Sequence, residues 1–390
     1  VSDEIHIHET GADSRFAGGF LTIDLSALVA NYRALARTSR PARTAAVVKA
    51  DAYGLGTVPV VKALVKAGCE DFFVALPEEG VAVRQIAPKA RIFVLGGLFG
   101  SEAAPIYGEH GMIPVLNSLA EIATWEAFCG DEGARHPCAI HVDTGMNRLG
   151  LSAADVAAFT DDNSLTGAIQ PILVMSHLAC ADDRGQPMNH RQLGAFRGLL
   201  PAFGKVEASL ANSAGIVLGH DYHFDLTRPG IALYGGSPNG RVDMEPVVTA
   251  SARIVQIRLA AAGEFASYGA GTRLARDTII AVAGVGYADG FHRSASGAGV
   301  VMRGDGSPGG HGFVNGARVP ILGRITMDTT LFDVTDLGED AVSRGDLIEL
   351  FGPNIPIDEA SATAGTIAYE LLTGIGRRYH RSYVSREPAS

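Results

Sequence analysis

The sequence predicts an α/β chain, a (β/α)8 TIM-like barrel followed by a smaller, mostly β C-terminal domain. Three observations carry that expectation. Short apolar runs alternate with amphipathic segments up to about Pro246, eight such units follow one another, and the texture changes after them. With 390 residues, one large domain and one smaller one are the natural division. The boundaries read from the chain are an N-terminal arm over 1–19, a barrel over 20–246 and a β domain over 247–390.

The runs that read as barrel strands are AAVVKA ending at Lys49, FFVAL near Ala75, RIFVLGG, IPVLN, AIHVDTG, ILVMSHLA, VEASLAN and FDLTRPG. Each is short, partly β-branched and closed by a polar or turn residue, as strands buried on both faces should be. Between them, VPVVKALVKAG and SLAEIATWEAFCG carry helical periodicity. The second has Asn117 or Ser118 as N-cap, with Glu121 at capping-box spacing from Ser118. A doubly wound open sheet would not need this many units. Beyond Pro246, VVTASARIVQIRLA, TIIAVAGVGYA, GVVMRG, RVPILGRI, TTLFDVTDL and DLIELFG read as strands. Asn315-Gly316 marks a type I′ hairpin, Asp358 to Leu372 reads as one helix, and SASGAG with GDGSPGGHG reads as a flexible loop pair.

Composition narrows the function. Hydrophobic residues make up 47% and charged residues 19%, enough for a sizeable core and unlike a disordered chain. The net charge of -10 argues against a nucleic-acid partner. Cys69, Cys129, Cys138 and Cys180 show no metal-finger or C-x-x-C spacing, which suits a reducing compartment. Cys180, close after His177, reads as a buried thiol and not as a nucleophile. No apolar run approaches bilayer length, and the opening stretch lacks a signal-peptide pattern. The expectation is a cytoplasmic protein with no membrane or nucleic-acid partner.

Lys49 closes the first predicted strand in AAVVKADAYGLG. Catalysis in a barrel is placed at the C-terminal strand ends. A lysine drawn in there loses hydration, becomes nucleophilic and can form an imine with an aldehyde cofactor. Taken alone, however, a lysine that snorkels or pairs with Asp51 is the better reading.

The wider pattern changes that. AVVKADAYGLG resembles the cofactor-lysine signature of the alanine racemases. HVDTGMNRLG, MSHLACAD, LANSAG, RPGIALYG, SYGA, GYADG and GRITMD follow in that family's order, so the resemblance covers nearly the whole chain from Phe20 onward. It implies pyridoxal 5'-phosphate (PLP) bound to Lys49 as an imine. The phosphate would be held by Tyr53, Ser213, Tyr369 and the amides of Gly230 and Ile231, with Asn212 in the same cofactor-binding set. Hydroxyl donors and free backbone N–H groups are what a phosphate dianion requires.

The resemblance further implies that Arg228 faces the pyridine nitrogen, which keeps that nitrogen unprotonated because a guanidinium has no lone pair to offer. His177 would link Arg228 to the catalytic tyrosine, and positive charge from the two would lower that tyrosine's pKa. Racemisation needs a base on each face of the α-carbon. Lys49 is one, and by resemblance Tyr268, from the second subunit of a homodimer, is the other. Arg148 and the Met327 amide would clamp the substrate carboxylate, with Asp328 orienting groups around Arg148. Tyr287 and Tyr369 would crowd the space beyond the α-carbon and favour the methyl group of L-alanine and D-alanine.

Two positions depart from the common family pattern. His141 stands where many members carry a carbamylated lysine, and Ser209 where many carry a histidine leading to Arg228. Three other activities fit parts of the pattern: a PLP-carrying barrel without catalysis, a basic amino-acid decarboxylase, and a broad-specificity or serine racemase. The β domain with Tyr268 and Met327 speaks against the first. Arg228 speaks against the second, which should place an acidic residue at the ring nitrogen.

Overall fold

The structure, a computed structural model, describes residues 5–161, 169–237, 243–300 and 309–386. Most of the expected strand GVVMRG, and the part of the glycine-rich stretch up to residue 308, lie outside the described residues. The chain divides into two compact units. One comprises Val29–Leu233 with Ser237–Met244, the other Val1–Leu28, Tyr234–Gly236 and Glu245–Ser390.

The first unit is built on eight parallel strand positions: 43–47, Asp71–Val74, Arg91–Val94, Ile113–Leu116, Pro137–His141, Gln170–Met175, Glu207–Ser209 and Leu226–Thr227. Seven form one continuous sheet, from Ala46–Val47 to Glu207–Ser209. The eighth closes it. Leu226–Thr227 pairs with Arg43–Thr44, and on its other side the Asp225 amide donates to Ala208 O (3.0 Å) and the Arg228 amide to Ala211 O (2.9 Å). The sheet is therefore a barrel and not a doubly wound open sheet. All eight runs predicted from the sequence supply these strands.

Both faces of the strands are buried, one toward the barrel interior and one toward the helices. Phe72, Phe73, Ile92, Phe93, Ile140 and Leu173 are fully buried, and the Phe73 and Phe93 rings stack 4.6 Å apart. Helices sheathe the barrel where the sequence supplies caps. The Ser118 side chain accepts from the Glu121 amide at 3.2 Å and starts Leu119–Glu132, which buries Trp125. Proline occupies the first turn of Pro77–Ile86 and of Pro187–Leu199. At the N-terminal strand ends, Arg91 donates to buried Asp71 (2.5 Å) and to Glu207 (3.0 Å), and Arg43 to Glu207 (2.7 Å). That network ties four strands together on the face away from catalysis.

The second unit is a mostly antiparallel sheet organised by one long strand, Val248–Ala260. Its first half pairs with Gly19–Asp24 and Leu347–Phe351, its second half with Thr278–Ala283. From Thr278–Ala283 the pairing runs through Thr330–Asp333, Ala317–Leu322 and His311–Val314 to Leu347–Phe351, so the ladder returns to the long strand. The Asn315-Gly316 hairpin forms as expected, with φ of 48° and 81°, the two positive values a type I′ turn needs.

Two expectations are corrected. The segment read as one helix from Asp358 to Leu372 is two, Ile357–Thr363 and Ala368–Thr373, because Gly365 turns left-handed at φ 68° between them. The opening residues neither stand apart as an arm nor begin the barrel. Ile5–Gly11 and Gly19–Asp24 both pair with Tyr379–Arg386 in the β unit. The alternating burial of Gly19–Asp24 suits an antiparallel sheet as well as a barrel start, so local pattern could not separate the two. No helix among the described residues is long and apolar enough to cross a membrane.

Candidate active site

Lys49 follows the first barrel strand directly. That strand is pinned on both sides, the Val47 amide donating to Pro229 O (3.0 Å) and the Val48 amide to Phe73 O (2.9 Å). The chain then makes a left-handed turn of four non-glycine residues, Ala50, Asp51, Ala52 and Tyr53, with φ between 52° and 57°. Each such residue costs about 1–2 kcal/mol relative to right-handed backbone, so the turn persists only because its surroundings hold it. The Ala52 amide donates to Val48 O (2.9 Å) and Gly54 to Ala50 O (2.7 Å). Asp51 Oδ1 accepts from the Thr57 amide (2.7 Å) and hydroxyl (2.9 Å). Burial, and then the charge of Arg148, lower the Lys49 pKa, while Glu79 opposes them.

Tyr53, four residues on, lies against Gly230. A Cβ added at Gly230 would stand 2.2 Å from Tyr53 Oη, so only glycine admits that phenol. The Gly230 amide points at Ser213 Oγ (2.9 Å), and the Ala232 amide approaches the same oxygen (3.3 Å). Asn212 caps the Ser213–Leu218 helix, accepting from the Gly215 amide at 2.8 Å, and Ile231 opens the short helical turn Ile231–Tyr234. Two hydroxyls and backbone N–H groups thus cluster around Gly230. This donor set fits a phosphate dianion.

Arg228 is completely enclosed. It donates from Nη1 to Ser209 Oγ and from Nη2 to Ser176 O (2.7 Å) and Leu210 O (3.4 Å), and it lies 5.8 Å from the Phe73 ring centre. Burial pulls its pKa down to about 9, which leaves it charged at neutral pH. Ser209 Oγ passes the bond on to Leu226 O, so the smaller residue at this departure ends the network on backbone.

The two histidines here are neutral. Burial, then Arg228, then Arg148 lower His141 to about 4; burial and Arg228 lower His177 to about 3. The His177 ring makes no hydrogen bond to Arg228 among the described residues, so the positive charge expected of the pair belongs to Arg228 alone. His141 Nδ1 lies 2.8 Å from Asn117 Oδ1, while Asn117 Nδ2 donates to Val115 O at 2.8 Å. That orientation of the amide assigns the proton to His141 Nδ1 and leaves Nε2 as an acceptor. His141 therefore brings a neutral ring nitrogen to a site dominated by Lys49, Arg148 and Arg228, an environment suited to anions.

A pH prediction arises from these two rings. Unfolding returns them to the ordinary range near 6.5, where they take up protons as pH falls. Their contribution to stability is intact above about 6.5 and declines as pH drops toward the folded values near 4 and 3. Tm should fall between about pH 6.5 and 5, and His177→Gln should flatten that fall. Equal slopes for both proteins in a thermal-melt series would contradict it.

Arg148 sits in the loop after Pro137–His141. Asp143 Oδ1 accepts from the amides of Gly145 (2.9 Å), Met146 (2.9 Å) and Asn147 (3.2 Å), and the Leu151 amide returns to His141 O (2.8 Å). The loop is rigid at its base, and Arg148 is exposed at its tip. Buried Gln192, which sequence reasoning missed, ties this loop to the next strand. It donates to Thr144 Oγ1 (3.2 Å) and His177 O (2.8 Å) and accepts from the Ala179 amide (2.8 Å).

The remaining expected residues belong to the β unit. Tyr268 leaves the hairpin of Phe265–Ala266 and Thr272–Arg273 on a strained turn, with Ser267 at φ 67° and its hydroxyl donating to Arg324 O (2.7 Å). The ring is 72% exposed. Tyr287 and Met327 are half exposed on adjoining segments joined by Tyr287 N–H to Thr326 O (2.9 Å) and Ala288 N–H to Met327 O (3.0 Å). Asp328, expected near Arg148, is paired with Arg378 (2.8 Å), which also grips buried Asp289 through two bonds of 2.6 and 2.8 Å. Tyr369 is on the helix Ala368–Thr373.

Known proteins share this arrangement. The family model for the alanine racemase N-terminal domain matches residues 23–238, and that for the C-terminal domain matches 247–383. The alanine racemase of Rhizobium meliloti (strain 1021) is 54% identical over 371 residues, 94% of this chain and 97% of the relative. The chain belongs to the alanine racemase family. Another member, the biosynthetic alanine racemase of Agrobacterium fabrum, is 52% identical over 93% of each chain.

Solved alanine racemases superpose closely. The Bartonella henselae enzyme, with covalently bound pyridoxal phosphate, gives a TM-score of 0.87 at 38% identity, covering 94% of this chain and 99% of its own. The biosynthetic alanine racemase of Pseudomonas aeruginosa gives 0.86 at 32% identity, covering 94% and 99%. The cofactor of the family is PLP, and the Tyr53–Ser213–Gly230 donor cluster is of the kind its phosphate requires.

Proposed function

We propose that this chain interconverts L-alanine and D-alanine, with PLP on Lys49 and two bases, Lys49 and the Tyr268 of a second copy, on opposite faces of the α-carbon. The observation that carries the reading is Lys49 itself, following the first barrel strand with a lowered pKa, on the turn that brings Tyr53 to Gly230 and Ser213. When bound, PLP supplies delocalisation of the charge left on the α-carbon after proton loss. Tyr53, Ser213 and Gly230 would hold its phosphate, and Arg228 would meet its ring nitrogen with a group that cannot accept a proton. Lys49, its pKa lowered by burial and by Arg148, takes or returns a proton on one face. Arg148 and the Met327 amide hold the substrate carboxylate, and Tyr287 limits the side chain to about a methyl group.

The second base comes from a homodimer partner in this reading. An aromatic ring as exposed as Tyr268, near exposed Phe265 and Leu259, suits coverage by a second copy. The cytoplasm is the expected compartment, since four unpaired cysteines suit reducing conditions.

The test is circular dichroism of PLP-loaded protein with L-alanine, beside L-serine and L-lysine. Decay to zero with alanine alone is expected. Decay with all three would reassign the chain to a broad-specificity racemase, and a flat alanine signal would overturn the proposal. Tyr268→Phe should lose about 10²–10⁴-fold in inversion yet still exchange the α-proton of one enantiomer with deuterium. Mixing it with Lys49→Ala chains should restore roughly a quarter of the wild-type sites, because half the dimers then hold one complete site.

A further inference from the structure

We infer that Glu79 is a positioning residue for Lys49, one carboxylate oxygen starting its own helix while the other fixes the left-handed turn that carries the lysine. The inference rests on Lys49 being the reacting lysine, as proposed above. Glu79 lies in the first turn of Pro77–Ile86, where an acidic residue ordinarily satisfies only its own helix. Here Oε2 does that work, accepting from the amides of Ala75 (2.7 Å) and Leu76 (3.1 Å). Oε1 reaches out of the helix to the Ala50 amide at 2.6 Å.

Ala50 is the first residue of the left-handed turn, directly after Lys49. Its N–H is satisfied by a charged group, whereas the amides of Ala52 and Gly54 donate to carbonyls. A carboxylate bond is the stronger kind. It therefore decides which way the peptide after Lys49 faces, and with it where the lysine side chain leaves the barrel mouth.

Glu79 has a second effect on the same residue. Among the described residues, the charged and titratable groups that act on Lys49 are Arg148, from the loop after Pro137–His141, His177, after Gln170–Met175, and Glu79. His177 is neutral, so Glu79 is the negative charge that opposes Arg148 and burial. A residue that merely capped a helix would leave the titration of Lys49 untouched. Glu79 should not.

The experiment uses the holoenzyme of wild type, Glu79→Gln and Glu79→Asp. Hydrogen exchange of the segment 49–56 reports the turn without reference to activity. Aspartate is one methylene shorter and can serve the helix start or Ala50, not both. Both variants should lose about 10–100-fold in protection at Ala50, with the helix Pro77–Ile86 still protected in Glu79→Asp. In alanine racemisation kcat should fall about 10-fold or more while KM changes less than about 3-fold. In Glu79→Gln, where only the charge is removed, the pH limb governed by Lys49 should move to lower pH.

Unchanged protection at Ala50 in both variants would overturn the inference. So would a lower Tm with kcat and the pH limb preserved, which would make Glu79 a helix cap only. If the wild type fails to racemise alanine, the proposed function fails, and the exchange data still decide whether Glu79 holds the turn.

Discussion

Lys49→Ala is expected to lower racemisation at least about 10³-fold, because it removes a base and the covalent anchor of the cofactor in one change. Borohydride reduction of the loaded wild type should leave a stable adduct on the peptide containing residue 49, and the variant should give none. Its fold should survive. Lys49 is only partly buried, and its side chain makes no hydrogen bond among the described residues, so far-UV circular dichroism should match wild type. An adduct at another lysine together with normal turnover would remove Lys49 from the centre of the site.

Gly230→Val should act on binding. The first atom of any side chain there would lie 2.2 Å from Tyr53 Oη and force the phenol away from Ser213 and the Gly230 amide. Losing one or two hydrogen bonds to a charged phosphate corresponds to about 10–100-fold each in affinity. Titrating cofactor into stripped protein, followed by its absorbance, measures the loss directly. Gly194→Ala is the matching control, since a Cβ there meets nothing within 4 Å and the position is mid-helix. A variant at Gly230 that binds cofactor as tightly as the control would show that the phosphate lies elsewhere.

Much of this site was legible in the sequence, and the residues that were not share a reason. Lys49, Tyr53, Ser213, Arg228 and Gly230 stand in contiguous strings whose residue types match their chemistry, and the barrel brings them into one unit. Glu79, Asn117, Gln192 and Arg378 act at a distance along the chain. Glu79 reaches 29 residues back to Ala50, and Arg378 reaches 89 back to Asp289. In the sequence Glu79 shows only a helix start, and Gln192 only a polar residue on an amphipathic helix. The left-handed turn was invisible as well, because Ala50, Asp51, Ala52 and Tyr53 include no glycine to announce positive φ. The two helices read as one at 358–372 failed differently: Gly365 was present, but the apolar spacing continues past it.

The strand Gly19–Asp24 lies in register between Tyr379–Arg386 and Val248–Ala260, so one sheet joins the beginning, the middle and the end of the chain. During synthesis the early strand leaves the ribosome with neither neighbour available, and the barrel residues emerge before the first of them. The second neighbour arrives only when residues 379–386 have been made. Until Val248–Ala260 has been made this strand has two unsatisfied edges, and until Tyr379–Arg386 follows it has one, a state that invites pairing with other chains. The barrel can gather from contiguous sequence as it emerges, whereas the β unit is completed by residues 379–386. A gene fragment beginning at residue 247 would therefore yield a sheet with a gap beside its longest strand, and supplying residues 1–28 as a separate peptide is the natural way to fill it.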